Sequence, residues 1–155
     1  MELLYLPYYV HRVVISQRDD QHEIIACTDG ISNIFSFFDA KQMEFCNEAS
    51  GEVFDFLVSA EEARRACRES LRWHLVRQGL RLKVKASVKE IREVREIHYP
   101  YWVGYFRGGD GYDFRAADAV TGETQGVRMR ETFLAAFSHS GDVATNDIGS
   151  SLAHD

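Results

Sequence analysis

The side chains able to do chemistry are six histidines, three cysteines and two pairs of neighbouring carboxylates, Asp19-Asp20 and Glu61-Glu62. An imidazole serves as acid, base or metal ligand, and a thiol serves as nucleophile or ligand. The spacing supports neither chemistry. The histidines are scattered, and Cys27, Cys46 and Cys67 form no Cys-x-x-Cys pair. An odd set of widely spaced cysteines reads as small buried side chains in a reducing compartment. The carboxylate pairs fall in a turn and at a helix start, where water or the helix dipole satisfies them. No Gly-x-Ser-x-Gly elbow is present, and Gly108-Gly109-Asp110-Gly111 lacks the lysine and helix of a phosphate cradle. The sequence therefore implies no catalytic residue, no metal and no cofactor.

What remains is aromatic. Pro7-Tyr8-Tyr9-Val10 and Pro100-Tyr101-Trp102-Val103 repeat with their prolines 93 positions apart. Along the second element Tyr99, Tyr101, Val103 and Tyr105 alternate with His98, Pro100, Trp102, Gly104 and Phe106, the period of a strand. A sheet carrying such stripes with helices on one face would leave either Tyr8, Tyr101 and Tyr105 or Trp102 and Phe106 to meet a partner, a ligand or a second copy on the other.

The elements that must position these rings follow from pattern. Residues 2–16 read as a strand, 17–21 as a polar turn and 23–27 as a return strand, ending at Thr28-Asp29-Gly30, where glycine would supply a positive φ. Residues 32–51 are ambiguous, and Phe54, Phe56 and Val58 suggest a brief strand. Ser59-Ala60-Glu61-Glu62 is a capping box, predicting a helix to about Gln78 with Gly79 as its C-cap. On that helix Ala63, Cys67, Leu71 and His74 share one face, and Arg64, Arg68 and Arg72 the next. Val88, Ile91 and Val94 recur every third residue, which weakens a strand there, and strand character returns from Ile97. A glycine turn leads into a strand over 112–119, closed at Thr121-Gly122, and residues 127–137 fit a short helix. Residues 138–155 are rich in Ser, Gly, Asp and Asn and read as a flexible polar tail.

Each Pro-Tyr strand is thus followed by a turn, a return strand and later a helix. The expected fold is α+β: one domain over 1–137, its antiparallel sheet built from two related hairpin-plus-helix units, about 1–58 and 59–137, with helices packed on one face.

Charge is segregated along the chain. Residues 1–58 carry 3 basic and 10 acidic side chains, 59–107 carry 12 and 6, and 108–155 carry 3 and 8, giving the net −6. The basic middle either pairs with its acidic flanks or presents Arg64, Arg68 and Arg72 to an anionic partner. The overall acidity disfavours a general nucleic-acid binder. No apolar run reaches the roughly 18 residues of a membrane span. The apolar start lacks a basic leader region and contains Glu2 and Pro7, so it reads as a strand rather than an export signal.

The second half resembles a PepSY-like domain: a helix through Arg64 to Gln78, a strand ending Tyr101-Trp102-Val103-Gly104-Tyr105, a glycine turn, and the closing run Asp118-Ala119-Val120-Thr121-Gly122-Glu123. The resemblance implies a small α+β module that regulates a partner rather than catalyses, with Asp118 and Thr121 shaping the closing turn. The expectation is a non-catalytic, cytoplasmic module that binds another protein, or itself as a homodimer, through Tyr8, Tyr9, Tyr101, Trp102 and Tyr105 or through Arg64, Arg68 and Arg72. The alternative is a small-molecule-binding protein or enzyme using an aromatic groove, with His98, Tyr101 or Asp118 near the ligand.

Overall fold

Strand β1 (Glu2–Gln17) is the centre of the molecule, and the computed structural model describes residues 1–39, 41 and 44–152 around it. β2 (Asp20–Asp29) returns along one edge of β1, and β3 (Phe35–Phe37) pairs with β2. β4 (Glu52–Val53) makes a short parallel pairing with Leu4 and Tyr5 of β1. Helix α1 (Ala60–Leu82) then leads into β5 (Ala86–Gly108), which runs antiparallel to β1 along its other edge. β6 (Gly111–Asp118) returns beside β5, and α2 (Val127–Leu152) completes the chain. The order β3-β2-β1-β5-β6 makes an α+β fold around a curled, mainly antiparallel sheet.

The two helices lie on opposite faces of this sheet, correcting the expectation that both cover one face. Alternation along β1 sends Leu4, Leu6 and Tyr8 to one side and Val13 and Ile15 to the other. Phe133 and Ala136 of α2 pack with the first set, and Cys67, Leu71 and Leu75 of α1 with the second. The faces differ because the buried apolar positions of β1 change parity along the strand, from Leu4, Leu6 and Tyr8 to Val13 and Ile15. A strand of 16 residues extends about 50 Å at ~3.3 Å per residue, more than one helix covers, so each helix shields one end.

Spacing by three along β5 has a specific cause. The register against β1 shifts between Arg12 and Val13 and again between Val14 and Ile15. Each shift inserts an extra residue in β5, so Val88, Ile91 and Val94 all stand on the α1 side, opposite Ile15, Val13 and His11. The strand therefore continues unbroken through the stretch that the sequence pattern left weak.

Helix α1 begins at the expected capping box: the Glu62 amide donates to Ser59 Oγ at 3.2 Å, and the Ser59 amide donates to Glu62 Oε2 at 2.9 Å. Ser59→Ala is expected to cost about 1 kcal/mol in chemical denaturation. A loss below about 0.3 kcal/mol would show that the cap contributes nothing. The helix ends later than expected, at Lys83 with φ 55°, and Gly79 lies inside it. Glycine is needed there because a Cβ would sit 2.7 Å from the Val84 carbonyl oxygen. The fourth core position is Leu75 rather than His74, whose ring instead meets Phe37 edge-on at 4.9 Å. The brief strand expected over Phe54, Phe56 and Val58 does not form: the only strand residues there are Glu52–Val53 just before it, and the amides of Leu57 and Val58 instead both donate to the Gly30 carbonyl. Helix α2 continues beyond residue 137 to Leu152, through the segment read as a tail, while residues 153–155 lie outside those described. Among the described residues, no helix is long and apolar enough to cross a membrane.

Candidate functional site

The two Pro-Tyr elements lie side by side in β1 and β5, Pro7 opposite His98 and Pro100 opposite Tyr5. Their return strands end in turns with matching hydrogen bonds. The Pro7 carbonyl accepts from the Gly30 amide at 2.7 Å, and the Pro100 carbonyl accepts from the Ala119 amide at 3.1 Å. Asp29 Oδ1 accepts from the Ile31 and Ser32 amides, and Asp118 Oδ1 accepts from those of Val120 and Thr121. The Asp29 and Asp118 amides donate to the carbonyls of Ile34 and Glu123, at 3.1 and 2.9 Å. Four residues after each aspartate the backbone turns left-handed, at Asn33 (φ 58°) and Gly122 (φ 79°). Asn33, not Gly30, therefore supplies the positive φ of the first turn. Gly30 is glycine because a Cβ would meet the Phe56 ring at 2.6 Å and Pro7 at 3.0 Å.

Between these two turns lies a cleft of about 480 Å³ on the α2 side of the sheet. Tyr8 and Tyr101 form its floor, their hydroxyls 2.7 Å apart, and both are buried beneath α2. Tyr99 donates to both oxygens of Asp118, at 2.9 and 2.8 Å. All three phenols are held above their ordinary range: burial is the largest cause for each, followed for Tyr99 by its bond to Asp118. They are neutral donors at physiological pH. Cys27, also in the lining, shares a hydrogen bond with Ser36 Oγ at 3.0 Å, and burial pushes its thiol up to about 11. Cys67, on the buried face of α1, is pushed up to about 12, again chiefly by burial. Neither is a thiolate at neutral pH, so neither is an activated nucleophile. Among the described residues, no group of three or more His, Cys, Asp or Glu side chains could hold a metal ion.

The remaining aromatic candidates disperse. Tyr9 is buried on the α1 side, where it donates to the Val58 carbonyl at 2.6 Å and stacks obliquely on Phe56. His98 shares that face and donates from Nε2 to the Phe54 carbonyl at 3.1 Å, so it stands across the sheet from Tyr101. Tyr105 is half exposed and donates to Glu2. Trp102, 43% exposed, lies on the opposite face from Tyr105, beyond the reach of α1. The sequence expectation of one aromatic stripe on an open face is thus corrected: Tyr8 and Tyr101 belong to the face that α2 covers.

On α1, Arg64, Arg68 and Arg72 are all exposed. Arg68 and Arg72 converge with Arg65, Glu69, Trp73 and Val76 on the outer side, three arginines against one carboxylate, whereas Arg64 lies on the flank nearer His11. Trp73, Val76 and Leu80 are 59%, 47% and 81% exposed and recur at i, i+3 and i+7. The helix thus has a second apolar row, directly opposite the buried row of Ala63, Cys67, Leu71 and Leu75. This row was missed in the sequence although its spacing was there to read.

No protein-family model, curated protein or solved structure matches the chain.

Proposed function

We propose that this protein is a non-catalytic interaction module that binds an acidic amphipathic segment of another protein along the outer face of α1. The observation that carries this reading is the exposed row of Trp73, Val76 and Leu80 beside Arg65, Arg68 and Arg72. A solvent-facing helix side needs no apolar row to fold, and a tryptophan flanked by arginines is the composition of a binding hot spot. Charge selects the occupant. α1 carries six arginines against three glutamates in a chain of net charge −6. A second copy docking α1 on α1 would oppose arginine to arginine, so a heterologous acidic partner fits better.

The regulatory role implied by the PepSY-like resemblance falls within this reading. Its cytoplasmic setting is supported by three free cysteines, of which Cys46 is exposed. The matching turns at Asp29 and Asp118 support an internal duplication of the two hairpins, after which the helices diverged in the face they cover.

The test uses a synthetic helical peptide with leucines at i, i+3 and i+7 flanked by glutamates. Trp102→Phe leaves Trp73 as the sole fluorophore of the chain's two tryptophans. Binding should shift the Trp73 emission, weaken with added salt, and drop at least about tenfold in the double variant R68E/R72E. Binding of phosphatidylglycerol vesicles or RNA but not of the peptide, or peptide affinity untouched by the charge reversal, would overturn the proposal.

A further inference from the structure

We infer that the cleft between the Asp29 and Asp118 turns is a binding site for a small organic cation, of the quaternary ammonium or methylated amine class. The site is separate from the outer face of α1 and stands independently of the function proposed for it.

Three features converge on this ligand chemistry. The first is the lining: Tyr8, Tyr99 and Tyr101 on the sheet, with the Phe38 ring on the same face just after β3. Aromatic rings present electron-rich faces that attract a weakly hydrated cation, and several rings around one volume make the usual cage for a trimethylammonium head. The second is charge. The carboxylates of Asp29, Asp39, Asp118 and Glu123 border the cleft against one cation, Arg128. Asp29 is 3% exposed and accepts three backbone amides, so its carboxylate is fixed in place. Asp118 is likewise held by Tyr99 and two amides. The third is size. About 480 Å³ lies within the range of small-ligand sites and exceeds what a single metal ion or water would occupy. Alkyl groups fit the apolar rings, while an anion would meet four carboxylates and a neutral ligand would forgo the field.

The test titrates the full-length protein by calorimetry with choline and with its uncharged isostere 3,3-dimethylbutan-1-ol. A peptide bearing trimethyl-lysine forms a third arm. The inference requires that choline or the trimethyl-lysine peptide bind and that the isostere bind at least about tenfold more weakly. Choline binding alone identifies a free small cation, and tighter binding of the peptide identifies a modified protein. Asp118→Asn keeps an Oδ1 acceptor for the Val120 and Thr121 amides and for the Tyr99 hydroxyl while removing the charge and the Oδ2 acceptor, so it should fold and lose about tenfold in affinity. If its thermal transition shows that it does not fold, the double variant D39N/E123Q removes two rim charges whose carboxylates make none of the hydrogen bonds described in either turn and should show the same direction. Equal binding of isostere and choline, no binding of either cation, or full affinity in the folded charge variants would overturn the inference. R68E/R72E should leave choline binding unchanged, which separates the failure of this site from the failure of the helix surface.

Discussion

Phe133→Ala is expected to destabilise the protein by 3–5 kcal/mol, the range for removing a fully buried aromatic ring. Phe133 has no exposed surface. Its ring stands edge-on to Tyr101 at 5.3 Å and to Phe114 at 5.9 Å, and lies 6.0 Å from Phe137. It is therefore the side chain through which α2 grips the sheet. Domains of this kind hold about 5–15 kcal/mol in all, so the loss takes roughly a fifth or more of a typical reserve. At roughly 2–4 °C per kcal/mol the thermal midpoint should fall by about 10 °C. Urea denaturation followed by near-ultraviolet circular dichroism would check it, since the rings of Tyr8 and Tyr101 lose their packing when α2 lifts. A loss below about 1 kcal/mol would mean that the helix is not held by this ring.

Acidification should destabilise the fold through His11. The side chain is fully buried on the α1 side, with Nε2 sharing a hydrogen bond with Thr28 Oγ1 at 2.9 Å. Its Nδ1 has no partner among the described residues. Burial, and then the positive charge of Arg64, lower its pKa from 6.5 to about 4. The unfolded chain therefore takes up a proton that the folded chain refuses. The stability contributed by His11 is present in full above about pH 6.5, declines as pH falls through the window, and is lost by about pH 4. A shift of this size corresponds to about 3 kcal/mol. Urea midpoints at pH 7.5, 5.5 and 4.5 would measure it, with His11→Gln as reference because it retains a polar group near Thr28 without a titrating ring. The wild-type chain should lose more stability than the variant across that range. Parallel pH profiles for the two proteins would rule out the buried imidazole as the cause.

Much of the fold is legible because it is decided locally. The capping box at Ser59 and Glu62 needs only four consecutive residues, and both hairpins need only alternating strands and a turn. The alternation of Tyr99, Tyr101 and Val103 against Pro100 and Trp102 places these rings on the faces they occupy. The offset of 93 residues between the prolines brought together Tyr8 and Tyr101, which share a hydrogen bond across the two central strands. Other features were present but masked. Trp73, Val76 and Leu80 have helical spacing, yet the arginines between them make the helix look merely polar on its outer side. Val88, Ile91 and Val94 mimic a helix because two bulges in β5 convert a spacing of three into one face of a strand.

The sequence by itself determined the strands of both hairpins, the body and cap of α1 and the turn closing at Thr121-Gly122. Tertiary structure alone decided that the helices take opposite faces, that Tyr8 and Tyr101 are buried rather than presented, and that Tyr9 and His98 stand across the sheet from the cleft. Alternation fixes which side chains share a face, but it carries no label for which face will be covered. That choice is made when β1 pairs with β5, roughly ninety residues away in the chain, and when the curl of two long strands leaves each helix only one end to cover.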